Sequence, residues 1–227
     1  MVTQKQVRIR GEGFFLLSAP HNVQVDRLGK PHLAEINITR IMNKLEKKLG
    51  KKKISTITWK SKYLQKTKKK ILLRDPNYYS KNKIEENPWY QFFQNKLEEA
   101  KSEGKEDKLF LIDLHGMNDD KQYDIIIGFR ALKKYITPKI HTRIISNLLE
   151  VMETFGNKYK LKIGYNVIFK GFISEKYYTV CQQSNSLGIP GIQIELSKSL
   201  RNRLVKKDIF FTNFARTLHN LYKLNQK

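Results

Sequence analysis

Two apolar runs in this chain each end on a histidine, and this pairing narrows the folds open to it. Leu109-Phe110-Leu111-Ile112-Asp113-Leu114-His115-Gly116 has the length and character of a buried strand. Side chains alternate along a strand, so Asp113 and His115 share a face. His115 then stands at the strand's carboxyl end, where open α/β sheets place their sites. Phe14-Phe15-Leu16-Leu17-Ser18-Ala19-Pro20-His21 repeats the form. Two strands that each deliver a histidine are the beginning of a metal site.

The rest of the chain alternates strand and helix signals. Residues 13–19 and 54–59 read as strands, and so do 71–73, 109–114, 124–128, 165–169 and 192–196. Helical spacing covers 33–49, with Gly50 as its stop, and also 88–102, 137–155 and 208–224. Residues 20–31 read as a polar loop with a turn at Leu28-Gly29-Lys30, and Asp75-Pro76-Asn77-Tyr78-Tyr79 as a turn-rich segment. This order predicts an α/β fold in three αβα layers around a mixed sheet, with residues 1–227 as one domain.

Composition removes several function classes. No apolar run approaches the roughly 18 residues of a membrane span. The polar, basic amino terminus has no signal-peptide character, and the single cysteine, Cys181, excludes an internal disulfide and a cysteine-rich metal site. Cys181 reads as a small buried residue, and the expected location is the cytoplasm. The formal charge is +23, with lysine runs at 47–53 and 66–70. It fits either a solvated lysine-rich surface or a polyanionic partner such as nucleic acid. No zinc-finger, phosphate-loop or RNA-binding signature accompanies it.

The ligand candidates are His21, His32, Glu35 and His115. A catalytic zinc wants about three nitrogen or carboxylate ligands. One arrangement uses His32 and Glu35, three apart at a helix start and therefore on one face. The other takes His21 from the strand end with Glu35, leaving His32 in the loop. The spacing leaves both open. Two histidines and a carboxylate also suit manganese, iron or cobalt. His141 and His219 fall on predicted helices without acidic partners at ligand spacing. In Gly188-Ile189-Pro190-Gly191-Ile192-Gln193-Ile194-Glu195, Gln193 and Glu195 share a strand face. A carboxylate there is costly to bury unless paired. It either serves as a proton carrier beside an activated water or pairs structurally with Arg201 or Arg203.

Taken in order, these motifs resemble the N-formylglutamate amidohydrolase family and, more distantly, aspartoacylase and the zinc carboxypeptidases. The resemblance runs through Ser18-Ala19-Pro20-His21, Glu35, Asp75-Pro76-Asn77-Tyr78, Ile112-Asp113-Leu114-His115-Gly116-Met117, Asp124-Ile125-Ile126-Ile127-Gly128 and the segment from Ile189 to Glu195 with Arg201. It implies a zinc exopeptidase-like fold and one zinc per chain held by His21, Glu35 and His115. Glu195 would be the general base and acid. Arg201, or Arg130 after it, would grip a substrate carboxylate, and Asn77 would donate to the substrate. The implied substrate is a small anionic N-acyl amino acid or an acidic peptide. Asn22 and Tyr78 depart from the family's pattern, which bears on the substrate and leaves the zinc chemistry intact. The competing reading is a nucleic-acid-binding protein on a hydrolase-like scaffold.

Overall fold

The computed structural model describes residues 6–60 and 73–226. The chain opens with β1 (Val7–Arg10), β2 (Phe15–Ala19), β3 (Val25–Arg27) and β4 (Lys30–His32), followed by α1 (Ile38–Leu49) and β5 (Ile54–Trp59). Then come β6 (Tyr79–Ser80), α2 (Pro88–Ser102), β7 (Phe110–Gly116), β8 (Ile125–Gly128), α3 (Arg130–Tyr135), α4 (Pro138–Tyr159) and β9 (Ile163–Tyr165). The last part holds β10 (Tyr177–Tyr178), α5 (Val180–Ser186), β11 (Gly191–Leu196), α6 (Lys198–Lys206) and α7 (Asp208–Leu224).

One mixed sheet runs in the order β1-β5-β2-β7-β11-β8-β9. The inner strands β5, β2, β7 and β11 are mutually parallel, whereas β1 and β8 join antiparallel to β5 and β11. Alternate residues feed two cores. Phe15, Leu17, Phe110, Ile112, Ile192 and Ile194 pack with residues of α1, α4, α6 and α7. Leu16, Leu111 and Ile57 pack with Trp89, Phe92 and Phe93 of α2 and Val180 of α5. The fold is therefore the expected three-layer αβα arrangement with a mixed sheet. Each fully buried Leu, Ile or Phe contributes about 1.5–3 kcal/mol, so the inner strands anchor the site.

Several boundaries differ from the sequence reading, each for a local reason. Helix α1 begins at Ile38, not at residue 33, because Asn37 sits at φ 70, in the left-handed region. The supposed loop at 20–31 contains the β3–β4 hairpin. Its turn residues Leu28 and Gly29 both have positive φ, 53 and 84, as a two-residue hairpin demands. The expected strand 165–169 instead ends at Tyr165, since Asn166 turns the chain at φ 52. Helix α5 went unread because it lacks an apolar stripe. Gln182, Gln183, Ser184 and Asn185 are all buried, and their side chains bond to backbone. The lysine run 66–70 and most of the expected strand 71–73 lie outside the described residues. Among the described residues no helix is long and apolar enough to cross a membrane. Cys181 is fully buried.

Candidate metal centre

The carboxyl ends of β2, β7 and β11 lie side by side. Their register sets Ser18 beside Asp113, Asp113 beside Gln193, and His115 beside Glu195. Strand alternation turns these polar residues onto the face that carries α2 and α5, just where its apolar residues give out. His21 follows β2 by two residues. Glu35 arrives from the loop between β4 and α1, so it is not on a helix as the sequence spacing had it. Its backbone N–H donates to the His21 carbonyl at 2.9 Å, which ties that loop to the strand end.

Three ligand-type atoms converge here. His21 Nδ1 lies 2.9 Å from Glu35 Oε1 and 3.0 Å from His115 Nδ1, and His115 Nδ1 lies 3.5 Å from the same Glu35 oxygen. Two imidazole nitrogens this close can share one proton or one cation; they cannot each carry a proton. The outer nitrogens are held by acids, His21 Nε2 by Asp75 Oδ1 at 2.9 Å and His115 Nε2 by Asp113 Oδ2 at 2.8 Å. A carboxylate behind each imidazole fixes its tautomer and turns the other nitrogen's lone pair inward, the arrangement that supports histidine ligation. Both rings and Glu35 are nearly excluded from solvent. The donor set fits a divalent ion of the zinc type.

His32 stands against this group. Its Nε2 is buried without a hydrogen-bond partner, 3.7 Å from Glu35 Oε1, and its ring centroid is 4.3 Å from that of His21. Ligand atoms of His21, His32 and Glu35 all lie within 4.8 Å of one another. The two arrangements left open by the spacing thus occupy one place, with His32 on β4 contributing an idle nitrogen.

The charges reinforce one another. Burial opposes a charged His21, but Asp75 and Glu35 override it and push the ring up to about 9. Asp113, Glu35 and Glu195 draw a proton to His115 as well, against burial, so the two rings hold their one shared proton firmly. Burial would lift Glu35, yet the two imidazoles hold it well below the ordinary carboxylate range. Asp75 is held low by His21 and Arg27 against the same burial penalty. Glu195 goes the other way. Burial, opposed by His115 and aided by Glu35, pushes it up to about 7. Its Oε1 accepts from Gln193 Nε2 at 2.6 Å and lies 3.9 Å from His115 Nδ1.

The arginines are arranged differently from the sequence expectation. Arg201 lines the cleft but is spent on backbone, with Nε donating to the Ile36 carbonyl and Nη1 to those of Met117 and Leu196. A Cβ at Gly116 would push the guanidinium out of this position. Arg201 does not pair with Glu195. Arg130 stands exposed at the start of α3, over the ring of Phe172, a residue of the cleft wall. Asn77 is buried, its Oδ1 accepting from Val180 N at 2.8 Å and its Nδ2 3.3 Å from His21 Nε2. The residue missed from sequence is Arg27. Its Nε donates to Asp75 Oδ2 at 2.8 Å, and it lies over the Tyr78 ring inside the cleft. Together these residues line an open cleft of about 850 Å³.

No protein-family model and no curated protein matches the chain. Solved structures do match. The zinc-free form of YndL superposes with a TM-score of 0.54 at 15% identity, covering 98% of this chain and 92% of its own. A metallo-carboxypeptidase from Pseudomonas aeruginosa, in complex with (2-guanidinoethylmercapto)succinic acid, gives 0.51 at 13% identity over 92% of this chain and 58% of its own. These structures share the three-layer αβα fold with this chain. An N-formylglutamate amidohydrolase from Ralstonia eutropha JMP134 matches more loosely, at a TM-score of 0.48 and 13% identity over 97% of this chain and 96% of its own. Identities this low speak for the fold alone.

Proposed function

We propose that the chain is a metal-dependent amidohydrolase that cleaves the amide bond of an N-acyl amino acid or small peptide. One observation carries the reading: two imidazoles, each backed by its own aspartate, meet the Glu35 carboxylate within 3.5 Å, with the Glu195 carboxyl beside them. His21, Glu35 and His115 would hold the ion, zinc being the natural match for this donor set. The ion, when bound, would polarise the amide carbonyl and make a water acidic enough to react near neutral pH. The names of two fold neighbours, a zinc-free form and a metallo-carboxypeptidase, support the choice of metal.

The chain's own residues do the rest. Glu195, held near neutrality by burial, takes the water's proton and returns it to the departing amine. Gln193 fixes one of its oxygens, so the carboxyl keeps its aim. Asp75 and Asp113 keep His21 and His115 turned inward. Asn77 acts as a positioning residue, because its Oδ1 already accepts from the Val180 N–H. A substrate carboxylate would meet the ammonium groups of Lys170 and Lys198 in the cleft, since Arg27 is tied to Asp75 and Arg201 has its Nε and Nη1 committed to carbonyls. Glu195→Gln should keep the metal and lower kcat/KM by about 10²–10⁴-fold. Turnover of metal-loaded Glu195→Gln at the wild-type rate would sink the assignment.

A further inference from the structure

Nine large apolar side chains are exposed among the described residues, and five of them line the metal-centre cleft: Leu33, Ile36, Ile168, Phe169 and Ile173. Leu33 is 71% exposed, Ile36 61% and Ile168 59%. Single exposed apolar residues are ordinary. Their concentration on the walls of one cleft marks a binding surface. They come from two separate segments, the loop ahead of α1 and the stretch after β9, so neither local turn chemistry nor one misplaced loop accounts for them. Both segments open onto the same space as His21, Glu35, His115 and Glu195. Whatever lies against them is therefore continuous with the bond being cut.

The cations of the cleft point the same way. Arg27 is tied to Asp75, and Arg201 to the carbonyls of Ile36, Met117 and Leu196. Neither offers the free two-point fork that a side-chain carboxylate calls for. Lys170 and Lys198 also line the cleft and supply point charges enough for a single terminal carboxylate.

We propose that the substrate carries an apolar acyl group, an aliphatic chain or ring larger than formyl or acetyl, which lies against Leu33, Ile36, Ile168 and Phe169. This rests on the amidohydrolase reading and narrows its substrate class. The test uses alkyl hydroxamic acids, which chelate a metal at one end and extend a chain from the other. Acetohydroxamic, hexanohydroxamic and octanohydroxamic acid are titrated into the zinc-loaded protein by calorimetry. Affinity should rise at least about tenfold from the first to the last, less than full burial of the added carbons would give. In Ile168→Ser, with zinc content retained, most of that gain should disappear. Binding with no dependence on chain length, or a gain untouched by Ile168→Ser, overturns the apolar subsite alone. No binding by any of the three to the zinc-loaded protein overturns the metal-centre reading with it.

Discussion

His21 and His115 stand at the ends of adjacent parallel strands and face each other nitrogen to nitrogen, yet they are supported in opposite ways. His115 is supported from its own strand. Asp113, two residues earlier, takes its outer nitrogen, and Ser18 Oγ donates to the other Asp113 oxygen at 2.7 Å while accepting from Trp89 Nε1 at 2.9 Å. His21 is supported by loops. Asp75, Arg27, Asn77 and Glu35 reach it from segments between 6 and 56 residues away. The same chemical result is reached once by strand alternation and once by the meeting of several turns. The second centre has more ways to fail.

That contrast can be tested by replacing each supporting acid with its amide. Asp75 accepts from three donors, His21 Nε2, Asn77 N and Arg27 Nε. An asparagine there turns an N–H₂ against at least one of them. At Asp113 the neighbouring Ser18 hydroxyl can rotate to accept instead. Loss of such supports costs about 10–100-fold in metal affinity. Asp75→Asn should fall near the upper end and Asp113→Asn near the lower, read by competition against a chromophoric chelator. Equal losses would mean that the two supports are equivalent after all.

Acidity sharpens the same comparison. In the metal-free protein the His21 ring is raised to about 9. A raised histidine gives stability that is fully present below its unfolded value of about 6.5. That stability is lost as pH rises through about 9. Urea denaturation in the presence of a chelator should therefore show the wild type weakening between pH 7 and 10, with the fall reduced in Asp75→Asn. Zinc affinity should move oppositely, rising with pH as the ion displaces a proton from the histidine pair. A flat stability profile for the metal-free protein would remove the His21–Asp75 pair from the account. The smallest effect is expected at Arg27, which is about a third exposed. Arg27→Ala should cost up to about 1 kcal/mol, roughly fivefold, in metal affinity. A loss as large as that of Asp75→Asn would make the arginine, not the aspartate, the main support.

What could be read in the sequence follows the same division. Asp113 with His115, and Gln193 with Glu195, were visible because a strand repeats every two residues and each pair lies on one strand. Helices α2 and α7 are legible because apolar residues recur at helical spacing in both, and Pro88 opens the first. The setting of Glu35 was misplaced on a helix because the left-handed Asn37 leaves no trace in hydrophobic spacing. Asp75 is legible as part of a turn-rich segment and of a motif shared with the resembled family. Its role depends on a contact with His21 across 54 residues, which no local pattern encodes. Arg27 was missed for the same reason. The resemblance implies a substrate role for Arg201, and it says nothing of the carbonyls, brought together only by the fold, that hold its Nε and Nη1.

The most direct test of the central claim is the zinc content of the purified, zinc-supplied protein by native mass spectrometry, beside His115→Ala and His32→Ala. The account predicts one zinc per chain in the wild type, none in His115→Ala, and zinc retained in His32→Ala. A zinc-supplied wild type that carries no metal would contradict it, as would metal lost with His32 and kept without His115.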